Sequence, residues 1–353
     1  MNDDINTSFV NKVLILATIG LLLVIAWYTF DILLLIFIGI LLALWLDGVS
    51  SWISRRTPFS RRVALILLLV GGVAVVGTVG YLGAPYLVDE IEQLESNLPE
   101  ATEEIRAELE QYQWGRSIID SMPDNAEVLN SLLSNGQSGA FSRIIGTFST
   151  LVAGVTNTIL VLIIALTISL EPSFYVDNFL RVIPVRDRDR ACEIISALGE
   201  SLKEWIAVRL VSVFTTGFLS AIGLLILGVP GAIILGIIAG AFAIIPFIGS
   251  FIGAIPGILV AFTVGPLYPL YAAIMYWLVQ QIESLVLTPT LQRTAMALPP
   301  ALTLSVQLIL GALVGFVGIA LAAPVTVAAI VLVREIYIKD IIEVNHSPDA
   351  SPV

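Results

Sequence analysis

The sequence predicts an all-α polytopic membrane protein with about eight hydrophobic segments, two of them broken or re-entrant helical hairpins in an inverted arrangement. Three observations carry this expectation. Of 353 residues, 57% are hydrophobic and 13% charged, with a mean hydropathy of +0.96, whereas a soluble domain carries about 25% charged residues. Several apolar runs approach or exceed the roughly 20 residues that cross a hydrocarbon core. Two late runs, Gly231–Thr263 and Ala301–Val333, are each about 33 residues long and contain proline and glycine.

The same composition excludes a soluble enzyme, because there is too little polar surface to cover a water-exposed core. The single cysteine, Cys192, excludes an intramolecular disulfide framework. The single histidine, His346, excludes His-rich metal sites and a histidine-based catalytic centre in the membrane. No Walker A loop or His-Glu zinc motif is present, so no cofactor and no direct use of ATP are expected.

The elements follow in order. Val13–Phe30 and Ile32–Leu46, separated by Asp31, read as a hairpin anchored by Trp27 and Tyr28, the second arm being short for a span. The N-terminus lacks a cleavage pattern and reads as retained. Val63–Leu87 is the next span and is rich in glycine, which allows close helix approach; residues 1–87 form an N-terminal set of membrane helices. Residues 88–143 read as an acidic extracytoplasmic helical insertion: from Asp89 to Ala140 there are 12 acidic residues and 2 basic ones. With that segment removed the charges nearly balance, so no basic face for nucleic acid remains.

Ile144–Leu170 returns to the cytoplasm. Asp189–Trp205 has apolar residues at helical spacing beside its charges and reads as an amphipathic helix along the membrane surface. These two make up residues 144–205. Orientation follows short basic loops, which favour the cytoplasm. Arg55, Arg56, Arg61 and Arg62 form one such loop, and Arg181, Arg186, Arg188, Arg190 and Lys203 the other. Both termini are therefore expected inside a plasma membrane crossed several times, with residues 339–353 as a polar tail.

Residues 206–338 read as the transport core. Ile206–Leu227 spans outward with Arg209 near its cytoplasmic end. The run Ile245–Pro256 contains Pro246, Gly249, Gly253 and Pro256, which do not continue one regular helix. In lipid, irregular backbone survives only where protein covers it or water fills a cavity. Leu267–Leu287 is a span, Thr288–Pro300 a polar loop holding Pro289, and the run to Val333 is interrupted at Ala322, Ala323 and Pro324. An inverted pair of hairpins puts Arg293, Arg334 and Lys339 all inside, and such repeats often build transporter sites near the midplane.

Glu283 is the ionisable residue that stands out, with Gln280, Gln281 and Ser284 beside it in an otherwise apolar span. Gln280, Glu283 and Ser284 share a helix face, which must look into protein or a wet cavity. Substrate contact, proton contact and a helix-to-helix hydrogen bond all fit this pattern.

The run LGVPGAIILGIIAGAFAIIPFIGSFIGAIP, Leu227–Pro256, resembles the hallmark segment of the autoinducer-2 exporter (AI-2E) family. Gln281, Glu283 and Pro289, the closing run Leu321–Tyr337 and the Leu98-Pro99 step are similar to that family as well. The resemblance implies a secondary transporter, a permease or exporter that moves a small solute by alternating access and assembles as a homo-oligomer. Autoinducer-2-like solutes and Na+/H+-type cation–proton antiport are both implied. Where many members carry Gly-Gln, this chain has Val208-Arg209, which alters the charge a solute meets. The expected pathway residues are thus Glu283, Gln280, Gln281, Ser284, Pro246, Gly249, Gly253, Pro256, Pro289, Pro324 and Arg209. The expected partners are the lipid bilayer and a small solute, cation or proton. A non-transporting scaffold or sensor, using the acidic insertion, is the alternative of another class.

Overall fold

In a computed structural model, the structure describes residues 29–30, 32–75, 77–78, 81, 155–265, 267–293 and 299–343. No strand occurs among them. The helices are α1 (Ile32–Arg56), α2 (61–75), α3 (Val155–Leu170), α4 (Pro172–Val182), α5 (Arg188–Ile226), α6 (Ala232–Phe242), α7 (Ile248–Val260), α8 (Tyr268–Arg293), α9 (Pro300–Val314) and α10 (Phe316–Leu332). α10 continues as a π-helix over Val333–Glu343. Among the described residues, 3 helices are long and apolar enough to cross a membrane: Ile32–Arg56, Val185–Ile226 and Phe316–Lys339. A fourth span results if α3 and α4 count as one broken unit. The eight expected segments are not all seen, since the proposed turn at Asp31, the arm before it and the acidic insertion lie outside the described residues.

Several boundaries differ from the sequence reading, each for a local reason. α1 does not stop at Leu46 but runs to Arg56, because Asp47 is neutralised in place. Arg61 Nη2 donates to Asp47 Oδ1 at 2.7 Å and to the Ser169 carbonyl at 2.7 Å, and Lys203 Nζ donates to Asp47 Oδ2 at 2.8 Å. One carboxylate thus ties α1, α2, α3 and α5 together at one end. The stretch Asp189–Trp205 is not a separate surface helix. It is the first part of α5, a 39-residue helix about 58 Å long at 1.5 Å per residue. Its charged end is held by Glu335, which accepts from Arg190 Nη2 at 3.2 Å and Lys339 Nζ at 2.8 Å. The helix that turns aside is α4, bent 88° from the apolar helix before it. Pro172 at its first turn starts it without needing an N–H partner, and Phe174, Phe179 and Val182 stay exposed.

The first late run is broken as expected, into α6 and α7 around residues 243–247. Pro246 cannot continue α6, and Phe247 takes φ 64° and ψ −66°, a γ-turn closed by the Ile248 N–H donating to the Pro246 carbonyl at 2.8 Å. Such a conformation costs about 1–3 kcal/mol and persists only where the surroundings enforce it. The second late run is also broken, but at Gly315 rather than at Ala322–Pro324. Gly315 has φ 71° and ψ −144°, a region open essentially to glycine. Pro324 is fully buried inside α10, which continues through it as one helix. The two units are therefore unequal: two short arms in the first, and a short arm joined to a full-length helix in the second.

Small residues set the spacing between these elements. Gly217 of α5 faces Gly236 and Gly240 of α6, where an added Cβ would meet the Gly236 carbonyl at 3.2 Å and the Gly240 Cα at 3.3 Å. Gly249 lies against the Phe242 carbonyl and Gly253 against Ala239, closing the first hairpin. Apolar packing follows the same chain of contacts. Leu224, Leu235, Ile238, Phe242 and Tyr276 join α5 to α8 through the hairpin. Leu202 and Trp205 pack on Ala323, Val327 and Val331, and Ala43 and Leu46 on Leu65 and Ala165. Phe242 and Phe316 meet edge to face with centroids 6.0 Å apart, which links the two broken units.

A methyl group at Gly249 would collide with backbone, which overpacks the hairpin at a cost of about 1–3 kcal/mol. Gly249→Ala should lower the unfolding midpoint of the solubilised protein. Gly199→Ala, on α5 with nothing within 4 Å, should leave it unchanged or raise it. Equal effects of the two would contradict this packing.

Candidate functional site

Four of the eleven buried polar or charged residues among those described, Ser212, Thr216, Ser220 and Glu283, lie where α5 meets α8. On α5 the buried residues Ser212, Thr216 and Ser220 recur every fourth position, and Arg209 lies three residues before the first. This is one helix face. On α8 the buried line is Ala272, Tyr276, Val279 and Glu283. The helices run antiparallel, since Gly223 lies against Met275 while Ser212 reaches Glu283.

Glu283 is 4% exposed. Ser212 Oγ donates to its Oε1, and Thr216 Oγ1 donates to its Oε2 at 2.9 Å. Each carboxylate oxygen therefore has a hydroxyl partner. A hydroxyl can donate to a carboxylate or accept from a carboxylic acid, so the cradle serves both protonation states. No ion pair or hydrogen bond closes on Arg209 among the described residues, and its Nε is buried without a partner.

The other expected site residues divide. Gln280 is half-buried, while Gln281 and Ser284 are exposed. Ser284 Oγ donates to the Gln280 carbonyl at 2.8 Å and so does not extend the Glu283 cradle. The α8 backbone continues helically through Pro289 to Arg293, where a polar loop was expected. Pro246 forms the first break, Gly249 and Gly253 pack that hairpin, and Pro256 is buried within α7.

Sequence reasoning missed Gln307. It is the one amide in α9, fully buried, and its Nε2 donates to the Pro246 carbonyl at 3.0 Å. The second broken unit thus supplies a hydrogen bond to the γ-turn of the first. Ser212, Thr216 and Ser220 were missed too, although three hydroxyls at four-residue spacing in an apolar helix were a visible signal.

A cleft of about 440 Å³ lies between α1, α5, the first break and α10, lined by Trp45, Trp205, Arg209, Ile244, Phe316 and Pro324 among others. Both broken units contribute to it. The sequence reading expected a hydrophilic pocket; instead the walls are almost wholly apolar, with Arg209 as the charged lining residue. Among the described residues, no group of three or more His, Cys, Asp or Glu could hold a metal ion.

The model of the AI-2E transport family, described as AI-2E family transporter, matches residues 15–338. YrrI of Bacillus subtilis strain 168 is 25% identical over 296 residues, 82% of this chain and 82% of its own length. YueF of the same organism is 26% identical over 290 residues, 79% of this chain and 77% of its own. A Thermotoga maritima protein is 25% identical over 321 residues, 89% of this chain and 94% of its own. All three carry names that provisionally class them as transport proteins.

If the α5 hydroxyls exist to hold the buried carboxylate, their removal should cost more with Glu283 present than without it. Thr216→Val should destabilise the protein by about 1–3 kcal/mol, and by clearly less in a Glu283→Leu background. A double-mutant cycle on unfolding of the solubilised protein measures the difference. Additive effects would show that the pair is not coupled.

Proposed function

The chain belongs to the AI-2E family of transporters, a membrane protein family, and from that premise we propose that it is a secondary transporter moving a small solute by alternating access. The observation that carries this reading is the meeting of two broken units around one cleft. Ile244 comes from the first break and Phe316 follows the second directly, so both units border the same space. A solute held there would touch backbone that is already interrupted, where hinge motion costs least. Residues 206–338 form the transport core in this proposal.

Glu283 is the group proposed to couple flux to protons. It is a buried acid whose Ser212 and Thr216 partners suit either charge state. The proposed topology puts both termini in the cytoplasm. Its support is the Asp47 and Glu335 clusters, which draw Arg61, Arg190, Lys203 and Lys339 to connected helix ends. Exchange of a cation for a proton is the second reading, favoured by the same buried acid.

Purified protein in proteoliposomes tests the proposal. Under an imposed pH gradient, Glu283→Gln should cut solute or sodium flux by about tenfold or more while its elution in size-exclusion chromatography is unchanged. Flux equal to that of the unsubstituted protein would remove Glu283 from the mechanism. Sodium-dependent proton movement with no solute present would select the exchange reading.

A further inference from the structure

The cleft is hydrocarbon-walled, yet three of its lining residues carry buried N–H groups with no hydrogen-bond partner: Trp45 Nε1, Trp205 Nε1 and Arg209 Nε. A buried unpaired donor forfeits its hydration without a replacement, and native proteins keep few of them. Of the seven buried unpaired side-chain polar atoms among the described residues, these three belong to residues that line one cleft. All three are donors, so what would satisfy them is an acceptor, and an arginine among them selects a negative one.

Nearby acids do not fill that role. Asp47, two residues beyond Trp45, is occupied by Arg61 and Lys203. Glu283 is occupied by Ser212 and Thr216, and it is not among the residues lining the cleft. The remaining lining, including Ile38, Leu41, Leu210, Ile244, Phe316 and Pro324, offers only apolar contact. The volume of about 440 Å³ falls in the range of small-molecule sites, roughly 300–1,000 Å³.

Resting on the transporter reading, we propose that the cleft binds a small organic anion. Its carboxylate-type head would be met by Arg209 and the indole N–H groups of Trp45 and Trp205, and its apolar or aromatic body would lie against Ile244 and Phe316. The three N–H atoms are covered rather than open to the cleft, so receiving the head requires rotamer changes of Arg209 and of both indoles. This assigns to Arg209 the selection of charge, and to the two breaks contact with the body of the solute. A phospholipid phosphate presents the same acceptor chemistry, and the test separates the two sources.

The full chain in phosphatidylcholine nanodiscs is titrated with 4-fluorobenzoate and with its neutral counterpart 4-fluorobenzamide, followed by 19F NMR. Benzoate should bind at least about tenfold more tightly. Arg209→Gln should abolish that preference, Arg209→Lys should keep part of it, and Trp45→Phe and Trp205→Phe should each weaken benzoate severalfold without changing benzamide. If Arg209→Gln does not fold, the two indole substitutions decide the matter alone. Equal affinity for the two probes, or a preference untouched by these variants, overturns the proposal. Loss of benzoate binding in phosphatidylglycerol-containing discs assigns the donors to a lipid headgroup and overturns it as well. Proteoliposome flux keeps the two readings apart: benzoate that binds but is not carried, with no other solute carried, contradicts the transporter reading alone. Carriage of neutral solutes without anion preference contradicts the anion site alone.

Discussion

In a hydrocarbon medium every backbone polar group needs a partner within the protein, and at the first break, residues 243–247, the described chain leaves the helix within an apolar run. Its solution is specific. The Pro246 carbonyl takes the Ile248 N–H through a γ-turn and the Gln307 side-chain N–H from another element. Phe247 is held at a positive φ that a non-glycine residue avoids. Pro246 ends α6 locally, and the Gln307 side chain of α9 gives the broken turn a partner from another element, while the edge-to-face pair Phe242–Phe316 joins the two broken units.

The rest of the core follows from that proximity. Gly217, Gly236 and Gly240 bring α5 and α6 to backbone contact, which places the hydroxyl face of α5 against α8. There, two hydroxyls satisfy the Glu283 carboxylate and leave Arg209, one turn further along, with no partner among the described residues. One acid with its donors, one base without an acceptor, and an apolar cleft between two interruptions are what the fold assembles. The charges at the helix ends act differently, since Asp47 and Glu335 bind basic residues from distant parts of the chain and lock the helix ends together.

Much of this was legible in the sequence, and the failures are physically informative. The all-helical membrane class, the first break and the burial of Glu283 follow from composition, Pro246 and an acid in an apolar run. The second break was misplaced because Pro324 is the more conspicuous helix breaker, but α10 runs through Pro324 without interruption, while Gly315 turns the chain through a conformation other residues avoid. α5 was divided at Trp205 because its composition changes there, although nothing between Arg188 and Ile226 stops a helix. Gln280, Glu283 and Ser284 share a face by spacing, but Ser284 satisfies its hydroxyl on its own backbone and needs no interior position. Gln307 was passed over because a lone amide gives no pattern; its partner is 61 residues away in sequence.

The central claim is that the two broken units form one pathway and move against each other during transport. Its most direct test is a tether between them. In a Cys192→Ser chain with cysteines replacing Phe242 and Phe316, whose rings lie 6.0 Å apart, a short reducible bifunctional thiol reagent bridges the units. In proteoliposomes the bridged protein should lose flux relative to the same two-cysteine chain before bridging, and regain it on reduction. Flux at the full rate through the bridged protein would contradict the claim.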